Sequence, residues 1–264
     1  MTEGRSRVQQ NDLLLHEAVI KNEPDAVREA LKRPTDVNCR NNYGRAPIHW
    51  AASRGNVEII NLLIQAKCDI EAVDKFGMRP LLMAAWHGHL AAVQTLVHAG
   101  ACLAATNKDV AGYALSLGAK VESCDTAGDA PLALAARSGH TAVVELLIEN
   151  SADIDAVNKA GRTALHLSCE GGHHTTSALL VSRGASREAR DHSGRTPLHQ
   201  AAVHRHTELV RVLLDTGCNV NAIDNVGSSA LHAACAADAT DIVELLLAHG
   251  ADPALTDQVS MKCL

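Results

Sequence analysis

The sequence is poor in aromatic side chains, and this limits what the protein can be. Aromatic residues make up 2% of the 264 residues: Tyr43, Trp50, Phe76, Trp86 and Tyr113. A core must therefore be built from Leu, Ala, Val and Ile, and the ordered rows of rings on which single-stranded nucleic acids stack are missing. The formal net charge of -6 also disfavours a surface that binds nucleic acid regardless of sequence. We expect no nucleic-acid partner.

Long apolar runs and paired cysteines are missing as well. No apolar run reaches the roughly 18 residues of a membrane-spanning helix, and residues 1–11 are polar, without the apolar segment of a secretion signal. The eight cysteines are scattered and form no Cys-x-x-Cys pair, which is the spacing typical of zinc ligands. We therefore predict no membrane span, no metal site, and reduced thiols in the cytoplasm or the nucleus.

The sequence also lacks the common motifs of catalysis. It has no Gly-x-x-x-x-Gly-Lys-Ser/Thr phosphate loop and no Gly-x-Ser-x-Gly nucleophile elbow. Ser, His and Asp are plentiful, but no spacing places a catalytic set. We predict that the protein is not an enzyme and uses no cofactor. An enzyme would need a clustered site at a repeat junction, which is the least favoured alternative.

What the sequence has instead is a repeat of 33 residues. Gly44 and Gly77 are 33 residues apart, and the same interval separates Gly128, Gly161, Gly194 and Gly227. Each glycine is followed by a version of one eight-residue sequence motif, which we call the first-helix phrase, as in RAPIHWAA (45–52), RTALHLSC (162–169) and RTPLHQAA (195–202). A second phrase comes next, such as VEIINLLIQAKCDIEAVD (57–74). Residues 13–41 form an opening copy with a degenerate start.

This period and these phrases resemble the ankyrin repeat family, over about residues 12–257. A looser likeness, through FGMRPLLMAAWHGHL (76–90), is to animal ankyrin repeat proteins that also carry a death domain. The resemblance implies an all-α solenoid of stacked helix-turn-helix units with β-hairpin loops, with about seven full repeats and one truncated repeat. It also implies a non-catalytic adaptor or scaffold that binds a partner protein on its concave face.

The residues of the phrase agree with this fold on physical grounds. The turn glycine permits positive φ, and a proline such as Pro47 suits the first turn of a helix, where its missing N–H costs nothing. Ile59, Ile60 and Leu63 have the spacing of a buried helix face. A glycine such as Gly100 then suits a left-handed end to the second helix. One unit cannot bury its own apolar face, whereas stacked units can.

One copy of the repeat is incomplete. Gly77 and Gly128 are 51 residues apart, where two periods need 66, so 15 residues are missing. The missing part matches a first helix and the loop after it. We predict that the stack kinks or splits there, and the alternative is that splicing cut the repeat and that the chain accommodates the loss poorly. The predicted divisions are a polar tail (1–11), an N-terminal block (12–109), the truncated repeat (110–127), a C-terminal block (128–257) and a tail (258–264).

The 15 histidines invite a metal or catalytic interpretation, but most recur at the period of the repeat. Five occupy the same place of the first-helix phrase, five residues after the position of the turn glycine: His16, His49, His166, His199 and His232. Four follow the turn between the two helices: His89, His140, His173 and His206. We predict that these rings link backbone groups of adjacent repeats. Weak metal binding by close pairs such as His204 and His206 is the alternative, but no Asp or Cys lies beside them at helical spacing.

The ankyrin resemblance places partner contacts on the turn tips and on the solvent side of the first helix. Three of the five aromatic residues fall at such places, and aromatic residues and Arg are enriched at binding hot spots. The predicted contact residues are Tyr43, Arg45, Arg54, Phe76, Met78, Trp86 and His87, with Arg162, Arg195 and His204 as a weaker basic extension. An extended or helical peptide with acidic groups would suit them. The alternative is that Trp86 folds over the truncated repeat, while Trp50 is expected in the core.

Two further expectations come from the resemblance. Loop asparagines of ankyrin repeats can be hydroxylated by an asparaginyl oxygenase, and Asn221 followed by Asn38 are the candidates here. The alternative is that they only satisfy loop backbone groups.

We expect a monomer. The alternative to an adaptor is a regulatory fragment or isoform of a larger signalling protein whose effector domain, such as a death domain, lies beyond Leu264.

Overall fold

A computed structural model describes residues 2–103 and 124–256, with side chains from residue 10 onward. The predicted truncated repeat lies mostly outside these residues, as do Tyr113, Gly118 and the tail at 258–264. Within the described ranges the chain forms fourteen helices and no strand, with one isolated β-bridge between Ile223 and Ser229. The predicted all-helical repeat fold is confirmed.

The chain separates into two compact units, residues 1–131 with 149–152 and residues 132–148 with 153–264. The helices that begin in the first unit are α1 (Thr2–Lys21), α2 (Pro24–Leu31), α3 (Pro47–Arg54), α4 (Val57–Gln65), α5 (Pro80–Trp86), α6 (Leu90–His98) and α7 (Pro131–Arg137). Those that begin in the second are α8 (Thr141–Glu149), α9 (Ala164–Glu170), α10 (His174–Ser182), α11 (Pro197–Val203), α12 (Thr207–Asp215), α13 (Ala230–Ala236) and α14 (Thr240–Ala248).

Each repeat is a short helix, a tight connection and a second helix, as α3 and α4 show. Helix α3 begins at Pro47, as predicted, and α4 is capped by Asn56, whose side chain accepts a hydrogen bond from the Ile59 N–H. Ile59, Ile60 and Leu63 are fully buried on one face of α4. Neither helix is long enough to be stable alone, so the packing between repeats supplies the stability.

The loops between repeats are tight turns, which we name by their glycines. In the Gly44 turn, the Asn41 N–H donates to the Arg45 carbonyl (3.0 Å) and the Gly44 N–H donates to the Asn41 carbonyl (2.9 Å). Gly44 has a φ of 74°, which favours glycine. The Asn41 side chain accepts from the N–H groups of Tyr43 and Arg45, at 2.9 and 3.0 Å. The turn is therefore fixed by its own hydrogen bonds.

Neighbouring turns stack through one recurring hydrogen bond. In the first unit the Lys75 N–H donates to the Tyr43 carbonyl at 3.0 Å. In the second unit the His192 N–H donates to the Ala160 carbonyl, and the Asn225 N–H to the Ser193 carbonyl, both at 2.9 Å. This ladder sets the spacing of the turns and presents the residue before each glycine at the tip.

The same bond joins two turns that flank the irregular part of the sequence. The Thr126 N–H donates to the Phe76 carbonyl at 3.3 Å, so the Gly128 turn stacks directly on the Gly77 turn within the first unit. These glycines are 51 residues apart where one period is 33, which leaves 18 additional residues between two stacked turns. The predicted kink or split stays a prediction, because residues 104–123 are outside the described part.

The first repeat has no turn of its own. One period before Gly44 is Asn11, which lies inside the uninterrupted helix α1. The segment predicted as a polar tail is therefore helical from Thr2 onward. Helix α1 packs against α2 and α3 and brings Leu15 and Val19 into the core.

Candidate partner-binding surface

Three aromatic side chains of the first unit are exposed to solvent. Tyr43, Phe76 and Trp86 have 57%, 51% and 49% of their surface exposed. Tyr43 and Phe76 occupy the same place, directly before the glycine of two stacked turns, and Trp86 is the last residue of α5. Burial of an aromatic side chain is strongly favourable, so exposure of three in a chain with five indicates a role other than core packing.

The Trp86 ring belongs to a row of rings at the end of α5. It stacks on His87 at 5.7 Å between centroids, and His87 stacks on His89 at 6.0 Å. His89 Nε2 donates to the carbonyl of Ser53 at 2.9 Å, which ties the end of α5 to the end of α3. Arg54, exposed at the last position of α3, occupies the place in its repeat that His87 has in the next.

The surroundings of these rings are basic. Arg54, Lys75 and His87 are exposed, and none of the turn-tip or helix-end places of these two repeats carries a carboxylate. The nearby Asp74 carboxylate is buried and paired with Arg45. We call Tyr43, Arg54, Lys75, Phe76, Trp86 and His87 the aromatic–basic surface.

The prediction that Met78 is exposed is wrong. Only 4% of its surface is exposed. Its N–H donates to Asp74 Oδ1 at 2.9 Å, and its carbonyl accepts from His49 Nε2 at 3.1 Å. The residue after the turn glycine lies beneath the tip and between repeats, so its side chain is covered by the stack.

The arginines that follow a turn glycine, at the position of Met78, also interact with residues within the stack of repeats. Arg45 Nε donates to Asp74 Oδ2 at 2.9 Å, and its guanidinium lies 5.1 Å from the centre of the Trp50 ring. Arg162 bonds to Glu170 at 2.8 Å, and its Nε is 3.7 Å from an Asp191 oxygen. The weaker contact of Arg195 with Asp224 is also 3.7 Å. These three arginines were expected on the solvent side, but each is half-buried against the aspartate of the next turn.

The exposure of His204 agrees with the prediction, whereas that of Trp50 does not. His204 is exposed, as expected, and stacks on His206 at 6.2 Å. Trp50, expected in the core, is only half-buried, and the Arg45 guanidinium lies over its ring. Whether His204 contacts a partner stays a prediction.

Four of the five histidines of the first-helix phrase bridge to a backbone carbonyl further along the chain, as predicted: His16, His49, His166 and His199. His166 is typical: Nδ1 accepts from the Thr163 N–H at 3.2 Å, and Nε2 donates to the carbonyl of Arg195 at 3.0 Å, 29 residues further on. This assigns the proton to Nε2. The rings of His49 and His199 bridge to Met78 and Ser228 in the same way. Burial lowers the pKa of His16, His49, His166 and His199.

The second set of histidines links repeats at the C-terminal end of the first helix. His173 Nε2 donates to the Arg137 carbonyl at 2.8 Å, and His206 Nε2 to the Glu170 carbonyl at 3.1 Å, as His89 does to Ser53. The prediction that these rings connect backbone groups is confirmed for these three residues. Among the described side chains, no group of three or more His, Cys, Asp and Glu is arranged to hold a metal ion.

The seven described cysteines are free thiols. Burial raises the pKa of Cys39 and Cys169 to about 12, and that of Cys68 and Cys218 to about 11. A thiol is a nucleophile only as the thiolate. These four side chains are therefore unreactive at neutral pH and serve as small apolar groups.

Asn38 and Asn221 bridge successive loops. Asn38 Oδ1 accepts from the Asp69 N–H at 2.7 Å, and Asn221 Oδ1 accepts from the Asp252 N–H at 2.8 Å. In other repeats a carboxylate takes the same place: Glu71, Asp155 and Glu188 accept from the N–H groups of Cys102, Ser186 and Asn219. The backbone role of the two asparagines is therefore present, and their hydroxylation stays a prediction.

Comparison with known proteins agrees with this architecture. The family model for ankyrin repeats in three copies matches residues 15–107, 101–191 and 178–257. The crystal structure of the human ASB11 ankyrin repeat domain superposes with a TM-score of 0.75 at 26% sequence identity, covering 91% of this chain and 99% of that one. An ankyrin repeat protein of fowlpox virus (strain NVSL), FPV244, is 40% identical over 60 residues. That match spans 23% of this chain and 7% of the viral protein.

Within the described residues, no helix has the length and apolar character needed to cross a bilayer. The family model covers well over half of the sequence, and the repeat geometry accounts for its recurring glycines, prolines and histidines. The chain belongs to the ankyrin repeat family, whose repeats generally serve as protein–protein interaction modules.

Proposed function

We propose that this chain is a non-catalytic adaptor or scaffold that binds a partner protein through the aromatic–basic surface of its first unit. The observation that carries the proposal is the exposure of Tyr43, Phe76 and Trp86 in stacked repeats. The turn that carries Phe76 is closed by Asp74 Oδ1, which accepts from the Phe76 N–H at 2.8 Å, so the ring does not fix the turn. The side chain at this place is therefore available for recognition.

The chemistry of the surface defines the class of partner. Arg54, Lys75 and His87 supply cationic or hydrogen-bonding groups around three rings, with no carboxylate at the corresponding places. Such a surface fits an extended or helical segment that alternates acidic and apolar side chains. The apolar side chains would contact the rings, and the carboxylates would face Arg54 and Lys75.

The test compares two variants in affinity purification from cell lysate, followed by titration of the purified partner. Phe76→Ala/Trp86→Ala removes two rings of the surface. Val226→Ala is the matched control, because Val226 is 48% exposed and precedes the glycine of its own turn in the second unit. We expect the double variant to bind the partner about 30-fold more weakly, which corresponds to roughly 2 kcal/mol. The control should bind as the wild type does.

Thermal unfolding of the same proteins separates recognition from packing. An unchanged melting temperature with weakened binding supports the proposal. A double variant that binds every partner as tightly as the wild type would contradict it. A lowered melting temperature would instead assign Trp86 to packing, which is the alternative raised by the sequence.

A further inference from the structure

A groove of about 920 Å³ lies at the start of the first unit, between helix α1 and the Gly44 turn. One wall is a single face of α1, with Leu13, His16 and Ile20, and the other is formed by Cys39, Arg40 and Asn41. Leu13 is 69% exposed and Ile20 is 36% exposed, so two apolar side chains are open to solvent there. None of these residues belongs to the aromatic–basic surface.

The groove lies beside the place where one turn is missing. In later repeats the first helix starts just after a turn, whereas α1 is helical through Asn11, where the turn glycine would be. The His16 ring shows the same loss. His49 Nδ1 accepts from the Ala46 N–H at 3.1 Å, but the buried Nδ1 of His16 has no hydrogen-bond partner among the described residues. The first repeat therefore lacks both its turn and the capping bond that goes with it.

Because this turn is missing, one N–H group that would donate to the preceding turn has no backbone acceptor. The Lys75 N–H donates to the Tyr43 carbonyl, and the Gly44 turn has the same internal hydrogen bonds as the Gly77 turn. The equivalent donor in the Gly44 turn is the Asn42 N–H, which has no acceptor in the described part of the chain.

The charges that line the groove are balanced in number, with Asp12 and Glu17 against Lys21 and Arg40. Lys21 is paired with Glu17 at 2.7 Å, and Asp12 Oδ1 accepts from the Asp36 N–H at 2.8 Å. Arg40 Nη1 donates to the carbonyls of Gly44 and Val73, but no described carboxylate pairs with this guanidinium. Arg40 is therefore a cation of the groove without an ion pair to a described carboxylate, and an acidic side chain of an occupant can pair with it.

From this arrangement we propose that the groove binds an extended peptide segment of a partner protein, which adds the missing rung to the ladder of turns. A carbonyl of the segment accepts from the Asn42 N–H, one apolar side chain packs between Leu13 and Ile20, and a neighbouring Asp or Glu pairs with Arg40. Main-chain hydrogen bonds supply affinity in this mode, and the side-chain contacts supply specificity. The inference rests on the proposed function only in that the first unit binds protein.

The probe is a phage-displayed library of short linear peptides, selected on the full-length wild-type protein and then titrated against the wild type and Leu13→Asp/Ile20→Asp. Leu90→Asp is the matched control, because Leu90 is 41% exposed on α6 of the same unit and lies outside the groove. We expect selected peptides to carry an apolar residue next to an acidic one. They should bind the double variant about tenfold more weakly or worse, and the control as tightly as the wild type.

Amide hydrogen exchange locates the bound peptide. A selected peptide should slow exchange of the Asn42 amide, and it should bind Phe76→Ala/Trp86→Ala normally, so failure of the groove and failure of the aromatic–basic surface are distinguishable. Peptides that bind the double variant equally, or a selection that yields none, would overturn the proposal. Sedimentation of the wild type as a dimer that Leu13→Asp/Ile20→Asp dissociates would assign the groove to a second copy of the chain, and would overturn it too.

Discussion

The turns of the two units have the same backbone hydrogen bonds, but they differ in the residue at the tip. In the first unit the residue before the glycine is Tyr43, Phe76 or Ala127, and in the second unit it is Ala160, Ser193 or Val226, so rings occur at the tips of the first unit only. The same hydrogen bond stacks the turns in both units. Since a ring, a methyl group and a hydroxyl are all compatible with this geometry, the fold does not select the tip residue. The difference between the units is therefore available for recognition.

The units also differ in how their first helices are fixed. Helices α9, α11 and α13 of the second unit each begin with Thr or Ser followed three residues later by His. In the first unit α3 has His49 with Ala46 at the cap, and α5 has Leu82 where the histidine would be. We expect the second unit to depend more strongly on its histidine bridges.

The largest expected effect is therefore loss of a bridge in the second unit. His166→Leu, which introduces the residue type of the Gly77 repeat, should lower the free energy of unfolding by about 3 kcal/mol, because the buried Thr163 N–H and Arg195 carbonyl both lose a partner. Urea denaturation measures the change. His204→Leu, at an exposed site, is the control. Equal stability of the two variants would remove the distinction between bridging and exposed histidines.

Acid should weaken the same bridges. The pKa values of His16, His49, His166 and His199 lie below the ordinary 6.5 in the folded state, so below that pH the unfolded chain binds more protons. Their contribution to stability is complete above about pH 6.5 and is lost as the pH falls, by at most about 1.4 kcal/mol per pH unit for each residue. Melting curves between pH 7 and 5 should show this decline, and His166→Leu should show a shallower one. A pH-independent melting temperature would contradict the bridge geometry.

The direct stacking of the Gly128 turn on the Gly77 turn gives a smaller effect. Deleting residues 106–123 removes the 18 additional residues and restores the 33-residue interval. Because the two turns are already joined by the Thr126–Phe76 hydrogen bond, the shortened chain should stay folded and lose no more than about 1 kcal/mol of stability. Circular dichroism and urea denaturation measure this. An unfolded product would show that the additional residues are part of the stack.

The smallest expected effect is at the tips. Tyr43→Ala/Phe76→Ala should change the free energy of unfolding by less than about 0.5 kcal/mol, since both rings are half exposed and the turn is held by its own backbone and the Asn41 and Asp74 side chains. Ser193→Ala in the second unit should behave in the same way. A large loss of stability in the first unit alone would mean that the rings pack against part of the chain and are unavailable to a partner.

Much of the framework could be predicted because it repeats. Pro47 and Pro197 start helices, Gly100 and Gly250 have positive φ, and histidines five residues after the turn glycine, such as His199, bridge repeats. The same logic would have identified the arginine pairs: Arg recurs one residue after the glycine and Asp three residues before it, as in Arg195 and Asp224. Recurrence at the period of the fold indicates a structural role for arginine as it does for histidine.

The errors arose where a neighbouring repeat decides the outcome. The burial of Met78 depends on how its own turn is covered by the stack, which the periodicity of one repeat does not specify. The uninterrupted α1 was missed because no sequence phrase marks the absence of a turn at Asn11. The groove beside it follows from that absence and could be identified only once the helix was placed.

The central claim is that the first unit recognises a partner and the second unit's tips do not. Hydrogen exchange of the full-length chain, with and without the purified partner, tests it directly. We expect slowed exchange in the partner complex at residues 41–45, 74–78 and 84–89, and no change at residues 158–162, 191–195 and 224–228. Protection confined to the turns of the second unit would contradict the account.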